Sequence, residues 1–232
     1  MDNIDVAYAR EQGLHVINTP AASSQSVAEQ VMAHLFGAAR SLYDSNREMP
    51  VNGIANFKVL KKKYGKGVEL RGKTLGVMGI GRIGQATAKY ALGCGMNIVA
   101  FDPYMDKVTI DVQVANQTVS VEVNTTSKDE LLANADFITL HIPAQADGKA
   151  VIGNEEFAKM KDGVIIANAA RGGVIDEDAL ITNLDSGKVA AAALDVFVNE
   201  PTPRADILSH AKISLTPHTG AATLEAQERR IS

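Results

Sequence analysis

Residues 74–102 restrict the fold of this chain more than any other stretch. An apolar run, Leu75 to Met78, leads into Gly79-Ile80-Gly81-Arg82-Ile83-Gly84, three glycines spaced G-x-G-x-x-G. A helix-like segment follows from Gln85 to Leu92, and a second apolar run, Asn97 to Phe101, ends on Asp102. Glycine-rich turns are common, so the spacing alone says little. A strand before it, a helix after it and an acid about 20 residues on make it the βαβ unit of a dinucleotide site. Gly79 makes the tight turn, Gly81 lets the backbone approach a pyrophosphate, and Gly84 lets helix and strand pack closely. The helix start offers free N–H groups and a partial positive charge to the phosphates. Asp102 can accept hydrogen bonds from an adenosine ribose, and its charge would repel a 2′-phosphate, which selects NAD over NADP.

The 232 residues suit one large domain or two small ones, and a hydrophobic content of 46% allows a substantial core. A net charge of −4 argues against nucleic acid or an anionic membrane as partner. No apolar run reaches the ~18 residues of a membrane span. Cys94 is the single cysteine, so no intrachain disulfide is possible and a reducing cytoplasm is the simplest setting. It reads as a small packing residue at the end of the glycine-motif helix. No metal site is expected.

Asp2 to Asp5 opens a helical turn that runs to Gln12, Gly13 stops it, and Leu14 to Asn18 reads as a strand. Such a fragment lacks its beginning, so the expectation is a chain that starts inside a longer protein. After a turn at Thr19-Pro20, Ser26 and Glu29 form a capping box for a helix to about Tyr43. Val27, Val31, Leu35 and Leu42 make one apolar stripe, and Ala28, Met32, Phe36 and Ala39 a second, with His34 packed between them. That width exceeds what a surface helix needs. A domain junction or a subunit interface would explain it, and a homodimer through the helix, about 26–43, is expected. Residues 44–73 read as a polar connection whose lysines, Lys58 to Lys66, form a solvated face; a phosphate-bearing substrate is the sharper alternative.

Beyond Asp102, valines at 112, 114, 119, 121 and 123 alternate with polar residues around Asn116-Gln117, the pattern of an added β-hairpin over about 109–124. Helices from Ser127, over Asn154–Met160 and from Asp176 then alternate with apolar runs at 136–141, 163–168, 189–196 and 212–216, and a last helix lies within 220–230. This order predicts an α/β fold, a doubly wound parallel sheet covered on both faces. Ligands bind such sheets beyond the carboxyl ends of the strands. Asp102, His141, Arg171, Asp195 and His218 all fall there. Arg171 sits among small residues, and its fork can grip a carboxylate through two hydrogen bonds. An ion pair with Asp176 or Glu177 is the bland alternative. Glu200, before Pro201, is a loop carboxylate without an obvious local partner. His218 follows another strand. One such histidine is usually structural, but three reactive groups after three neighbouring strands form a constellation.

With these segments in view, the chain resembles the NAD-binding domain of the D-isomer-specific 2-hydroxyacid dehydrogenases. The matching pieces are Asp2–Asp5, Ser26–Glu29, Gly72–Gly76, the glycine motif, Asn168–Leu180, Asp195–Pro201 and Pro217–Thr223, in order over nearly the whole chain. The resemblance implies a nucleotide-binding domain over 19–232. It makes 1–18 a remnant of a substrate domain whose first ~70 residues and last helices lie outside the chain. It implies a 2-hydroxy or 2-keto acid as substrate, with NAD as cofactor. Arg171 would bind the acid's carboxylate and carbonyl oxygen, His218 would be the acid/base, and Glu200 its partner. Asp195 would lie near the nicotinamide carboxamide. Arg82 and Ile83 would meet the pyrophosphate, and Ile142, Pro143, Ala169, Ala170, Gly220 and Ala221 would line the cofactor cleft. Among family members the likeness favours action on 3-phosphoglycerate in serine biosynthesis, with reduction of glyoxylate, hydroxypyruvate or another 2-keto acid as the alternative. An NAD-sensing corepressor is the reading from another class. The hairpin, and the lack of a tryptophan before Gly72, depart from the family pattern.

Overall fold

The computed structural model describes residues 4–17, 19 and 21–231, the side chains of the last two apart. Helix α1 (Val6–Glu11) is capped by Asp5, whose carboxylate accepts from the Tyr8 N–H, and ends before Gly13 at φ +75°. Residues 14–17 form no strand, contrary to the expectation for Leu14–Asn18. Among the described residues no strand pairs with it, the Leu14 N–H closes the end of α1 by donating to the Ala9 carbonyl at 2.9 Å, and Leu14 and Ile17 stay exposed. His15 belongs to this segment, while Asp2, Asn3, Asn18 and Pro20 lie outside the described residues.

Helix α2 (Ser24–Ala39) begins earlier than expected. Ser26 is therefore inside it, buried, and bonded to the Thr223 hydroxyl at 2.7 Å, so the capping box is not formed. The helix breaks at Ser41, φ +48°, and α3 (Leu42–Lys63) takes the place of the expected polar connection. Its lysines and glutamate favour a solvated helix, a preference that Pro50 and Gly53 disguise in the sequence. A kink at Asn56 folds the second half back, and Lys63 reaches Asp44 at 3.5 Å and Glu48 at 2.5 Å.

Strand β1 (Thr74–Met78), helix α4 (Arg82–Gly93) and strand β2 (Asn97–Phe101) realise the βαβ unit. The hairpin follows as β3 (Lys107–Val114) and β4 (Gln117–Asn124), an antiparallel pair of its own. Its turn is Ala115-Asn116, with Ala115 at φ +53°, one residue before the position expected. Ile110 and Val123 are buried on the face turned to the α2–α4 core, while the opposite face is polar. Then come α5 (Lys128–Asn134), β5 (Phe137–Leu140), α6 (Asn154–Lys159), β6 (Val164–Asn168), α7 (Glu177–Ser186), β7 (Val189–Leu194), α8 (Ala205–Ser209), β8 (Ile213–Leu215) and α9 (Leu224–Ile231). Ser127 and Asp176 cap α5 and α7 with their side chains, as expected. The short helix α8 has no periodic signal in the sequence.

Six strands form one parallel sheet in the order β2-β1-β5-β6-β7-β8. The order reverses between β1 and β5, so the chain leaves these two strand ends in opposite directions and a crevice opens between them. One core lies between the sheet and α5, α6 and α7, around Leu132, Phe157 and Leu180. The other lies under α2 and α4, around Leu35, Ala88 and Val77. Each fully buried large side chain contributes roughly 1.5–3 kcal/mol. Helix α2 packs on α4 and on strands β6 to β8, so its two stripes are accounted for within this chain. Phe36 is half exposed, and Leu42 lies in α3.

Candidate active site

The three glycines do three different things. Gly79 sits at φ +92°, and a Cβ there would stand 2.6 Å from the His141 carbonyl oxygen. A Cβ on Gly84 would stand 2.1 Å from the Gly79 carbonyl oxygen, so α4 can lie against β1 only with glycine there. A Cβ on Gly81 would meet nothing within 4 Å. Gly81 is the N-cap of α4, so this open space faces the helix start, as a pyrophosphate requires. Arg82 opens the helix exposed, and Ile83 is half-buried. Asp102 ties the tip of β2 to this turn. Its Oδ2 accepts from the Ile80 N–H at 3.0 Å and its Oδ1 from the Tyr104 N–H at 2.9 Å. Each oxygen keeps a second lone pair with which to accept from a ribose hydroxyl.

Along the strand ends runs a cleft of about 480 Å³. It brings together Ile83 from the first turn of α4 and Ile142, Pro143, Ala169, Ala170, Arg171, Asp195, His218, Gly220 and Ala221 from four separate loops. Gly79, Gly81, Gly84, Arg82 and Asp102 lie outside its lining, at the β1–β2 end of the crevice. Glu200 stands behind His218, on the wall of a second, apolar hollow. Three lining residues escaped the sequence reading as cofactor contacts, Ser23, Val27 and His141. Ser23 and Val27 belong to the start of α2, which only the fold brings to the strand ends. His141 had a signal, its position just past β5.

His218 is held in the left-handed region, φ +54°, a conformation that a non-glycine residue keeps only when its surroundings enforce it. Its backbone N–H donates to the Thr216 carbonyl at 3.0 Å. Its Nδ1 lies 2.7 Å from Glu200 Oε2. Glu200 has a local partner after all, since its Oε1 accepts from the Phe197 N–H at 2.9 Å. Burial alone would raise the Glu200 carboxyl, but the donors from His218 and Phe197 outweigh it and hold it below the ordinary value. The carboxylate thus fixes the imidazole by one nitrogen and leaves Nε2 for proton exchange.

Arg171 follows β6 in a loop shaped by Asn168. The Asn168 amide donates to the Arg171 carbonyl and accepts from the Ala170 N–H, both at 3.0 Å. The guanidinium Nη1 donates to the Ala170 carbonyl at 2.7 Å. Asp176, one alternative partner, caps α7 through the N–H groups of Asp178 and Ala179. Glu177, the other, accepts from the Val198 N–H at 2.9 Å. Asp195 is buried, and three donors meet its carboxylate: the Thr216 hydroxyl at 2.6 Å and the N–H groups of Thr219 and Gly220, both at 2.9 Å. It therefore braces the loop that carries His218. His141 bonds Thr139 Oγ1 through Nε2 at 3.0 Å, and burial pushes it down to about 4, so it is a neutral wall of the cleft.

An imidazole held by a carboxylate, a guanidinium and a glycine turn open at the start of a helix share one crevice. The sequence of residues 32–220 matches the family model described as D-isomer specific 2-hydroxyacid dehydrogenase, NAD binding domain. The chain is 44% identical over 234 residues to a hydroxypyruvate reductase of Thermotoga maritima, covering 99% of this chain and 70% of that protein. It is 45% identical over 228 residues to a D-3-phosphoglycerate dehydrogenase of Methanocaldococcus jannaschii, covering 98% of this chain and 41% of that protein. The chain thus spans less than half the length of that second relative. A crystal structure of a glyoxylate reductase from Paecilomyes thermophila superposes with a TM-score of 0.79 at 36% identity, covering 99% of this chain and 66% of that one.

Proposed function

Because this chain belongs to the D-isomer specific 2-hydroxyacid dehydrogenases and forms their NAD-binding domain, we propose that it serves hydride transfer between NAD and a D-2-hydroxy acid. The hydride chemistry at the carbon that bears the hydroxyl would be supplied by NAD held in this crevice, as acceptor in oxidation and, reduced, as donor in the reverse direction. In oxidation His218 takes the hydroxyl proton at Nε2, and in reduction it gives that proton back. Glu200 keeps Nδ1 protonated, which fixes Nε2 as the exchanging atom. Arg171 grips the acid's carboxylate and sets positive charge where the carbonyl oxygen gathers negative charge. Gly79 to Gly84 and Asp102 hold the adenosine and pyrophosphate, and Asp102 selects NAD. Ile142, Pro143, Ala169, Ala170, Gly220 and Ala221 flank the nicotinamide, with the Asp195 loop beside them.

One observation carries the reading: the His218–Glu200 pair, 2.7 Å apart, opens onto the same cleft as Arg171. For substrate, 3-phosphoglycerate and a place in serine biosynthesis are favoured by the likeness to a D-3-phosphoglycerate dehydrogenase. Hydroxypyruvate or glyoxylate is the second reading, favoured by the hydroxypyruvate reductase and the glyoxylate reductase. Residues 19–232 act as the cofactor domain, and 1–18 belong with a substrate domain. A homodimer through the stretch about 26–43 is part of the reading, supported by Phe36 and Leu42, the large apolar side chains of that stretch that stay exposed. Among the described residues no helix is long and apolar enough to cross a membrane, and lone Cys94 suits a reducing cytoplasm.

The test is NADH consumption by the protein that carries this chain, against phosphohydroxypyruvate, hydroxypyruvate, glyoxylate and larger 2-keto acids. Reduction of one or more of these acids is expected, and the preferred acid identifies the substrate. Tight NADH binding with no acid reduced would overturn the dehydrogenase reading in favour of a sensing role.

A further inference from the structure

Behind the cleft, α2 sends side chains into the loop that follows β8. His34, buried in the middle of α2, places Nε2 at 3.0 Å from Thr216 Oγ1 and Nδ1 at 2.8 Å from Ser214 Oγ. Gln30, one turn earlier, donates to the same Thr216 hydroxyl at 2.8 Å. That hydroxyl has one proton, and Asp195, a carboxylate, can only accept it, at 2.6 Å. Thr216 must therefore accept from both Gln30 and His34, so His34 carries its proton on Nε2. Burial holds the His34 imidazole below its ordinary value, which leaves Nδ1 to accept from the Ser214 hydroxyl. The donors at Ser214, His34 and Thr216 all point one way, into Asp195, while the Thr219 hydroxyl donates separately to Gln30 Oε1 at 3.4 Å.

At its far end, Asp195 accepts from the N–H groups of Thr219 and Gly220, the two residues that follow His218. A Cβ on Gly220 would stand 2.9 Å from Asp195 Oδ2, so carboxylate and loop are in close contact. His218 itself sits at φ +54°, a conformation that persists in a non-glycine residue only when the surrounding structure holds it. Thr216 fixes the side before it and Asp195 the side after it. A buried hydrogen-bond row with all groups satisfied rigidifies what it touches.

We propose that His34 and Thr216 are positioning residues for the acid–base histidine: together they orient the Asp195 carboxylate, which holds the Thr216–Gly220 loop with His218 facing the cleft. This rests on the dehydrogenase reading for its consequence in catalysis, but not for its consequence in the loop. Thr216→Val keeps the shape and removes the hydroxyl, whereas Thr216→Ser keeps the hydroxyl. His34→Leu removes the donor at the head of the row. In Thr216→Val, amide hydrogen exchange at Thr219 and Gly220 should quicken about tenfold or more, with amides of β1 and β5 unchanged. Turnover with NADH and the preferred 2-keto acid should fall about tenfold, with the NADH Kd within about twofold of the wild type. Thr216→Ser should restore both. His34→Leu should reproduce the loss and add little to it in the double variant, since members of one network do not act additively. Unchanged exchange at Thr219 and Gly220, a Thr216→Ser variant as impaired as Thr216→Val, or fully additive losses would overturn the proposal. If the wild type reduces no 2-keto acid, the dehydrogenase reading fails, and the two amides alone decide whether the row holds the loop.

Discussion

The turn after β1 and the turn after β8 do related work by opposite means. Both follow a parallel strand, and both contain a residue at positive φ, Gly79 at +92° and His218 at +54°. The first is shaped by missing side chains. Gly84 lets α4 touch β1, Gly81 leaves open space, and the carboxylate of Asp102 binds backbone N–H groups. The second is crowded with polar side chains from distant segments: Glu200, Asp195, Thr216 and, behind them, His34. A phosphate needs backbone donors and room. A proton-exchanging imidazole needs a fixed direction, and only other side chains supply it.

The contrast can be broken most severely at Arg171. Arg171→Ala should lower turnover on the 2-keto acid about 10²–10³-fold while NADH binding stays within about twofold, because the charge is needed at the substrate and not at the glycine turn. Steady-state rates beside an NADH fluorescence titration measure both. Equal losses in the two would mean that Arg171 serves the cofactor end instead.

His141 stands where the regions meet, with its carbonyl against Gly79 and its ring in the cleft wall. Its folded value of about 4 lies below the ordinary 6.5, so on acidification the unfolded chain takes up the proton first. Stability should be level in this respect above pH 6.5 and fall as the pH drops towards 4, by up to about 3 kcal/mol. Urea unfolding across that range should show a shallower slope for His141→Gln, and an unaltered slope would contradict the assignment. Glu200, also held below its ordinary value, acts in the same direction at lower pH.

Within the glycine turn, two single-atom additions should separate packing from binding. Gly84→Ala forces a Cβ to 2.1 Å from a carbonyl oxygen and should cost about 1–3 kcal/mol of stability in urea unfolding. Gly81→Ala meets open space and should change stability by less than about 0.5 kcal/mol, yet weaken NADH binding. The reverse pattern would mean that the open space at Gly81 is not the cofactor's.

The same contrast explains what the sequence could reveal. The parallel sheet, the glycine turn and the hairpin announce themselves through apolar runs, glycine spacing and period two, all local signals. Arg171, Asp195 and His218 could be gathered because a parallel sheet puts its strand ends together, and the cleft does contain all three. Ser23 and Val27 reach it only because α2 crosses the sheet, and no spacing rule carries that information. The service of Asp195 to the Thr219 and Gly220 amides was likewise out of reach, since it depends on contacts between distant segments. Helix α3 was missed because Pro50 and Gly53 argue locally against a helix, and Leu14–Ile17 was misread because a strand needs a neighbour that the pattern cannot supply.

The most direct trial of the chemistry is His218→Ala, with NADH affinity and 2-keto acid turnover measured on one preparation. Loss of acid–base help should lower turnover about 10²–10⁴-fold while the NADH Kd stays within about twofold of the wild type. Wild-type turnover in that variant would contradict the role given to His218 and, with it, the mechanism built on the Glu200 pair.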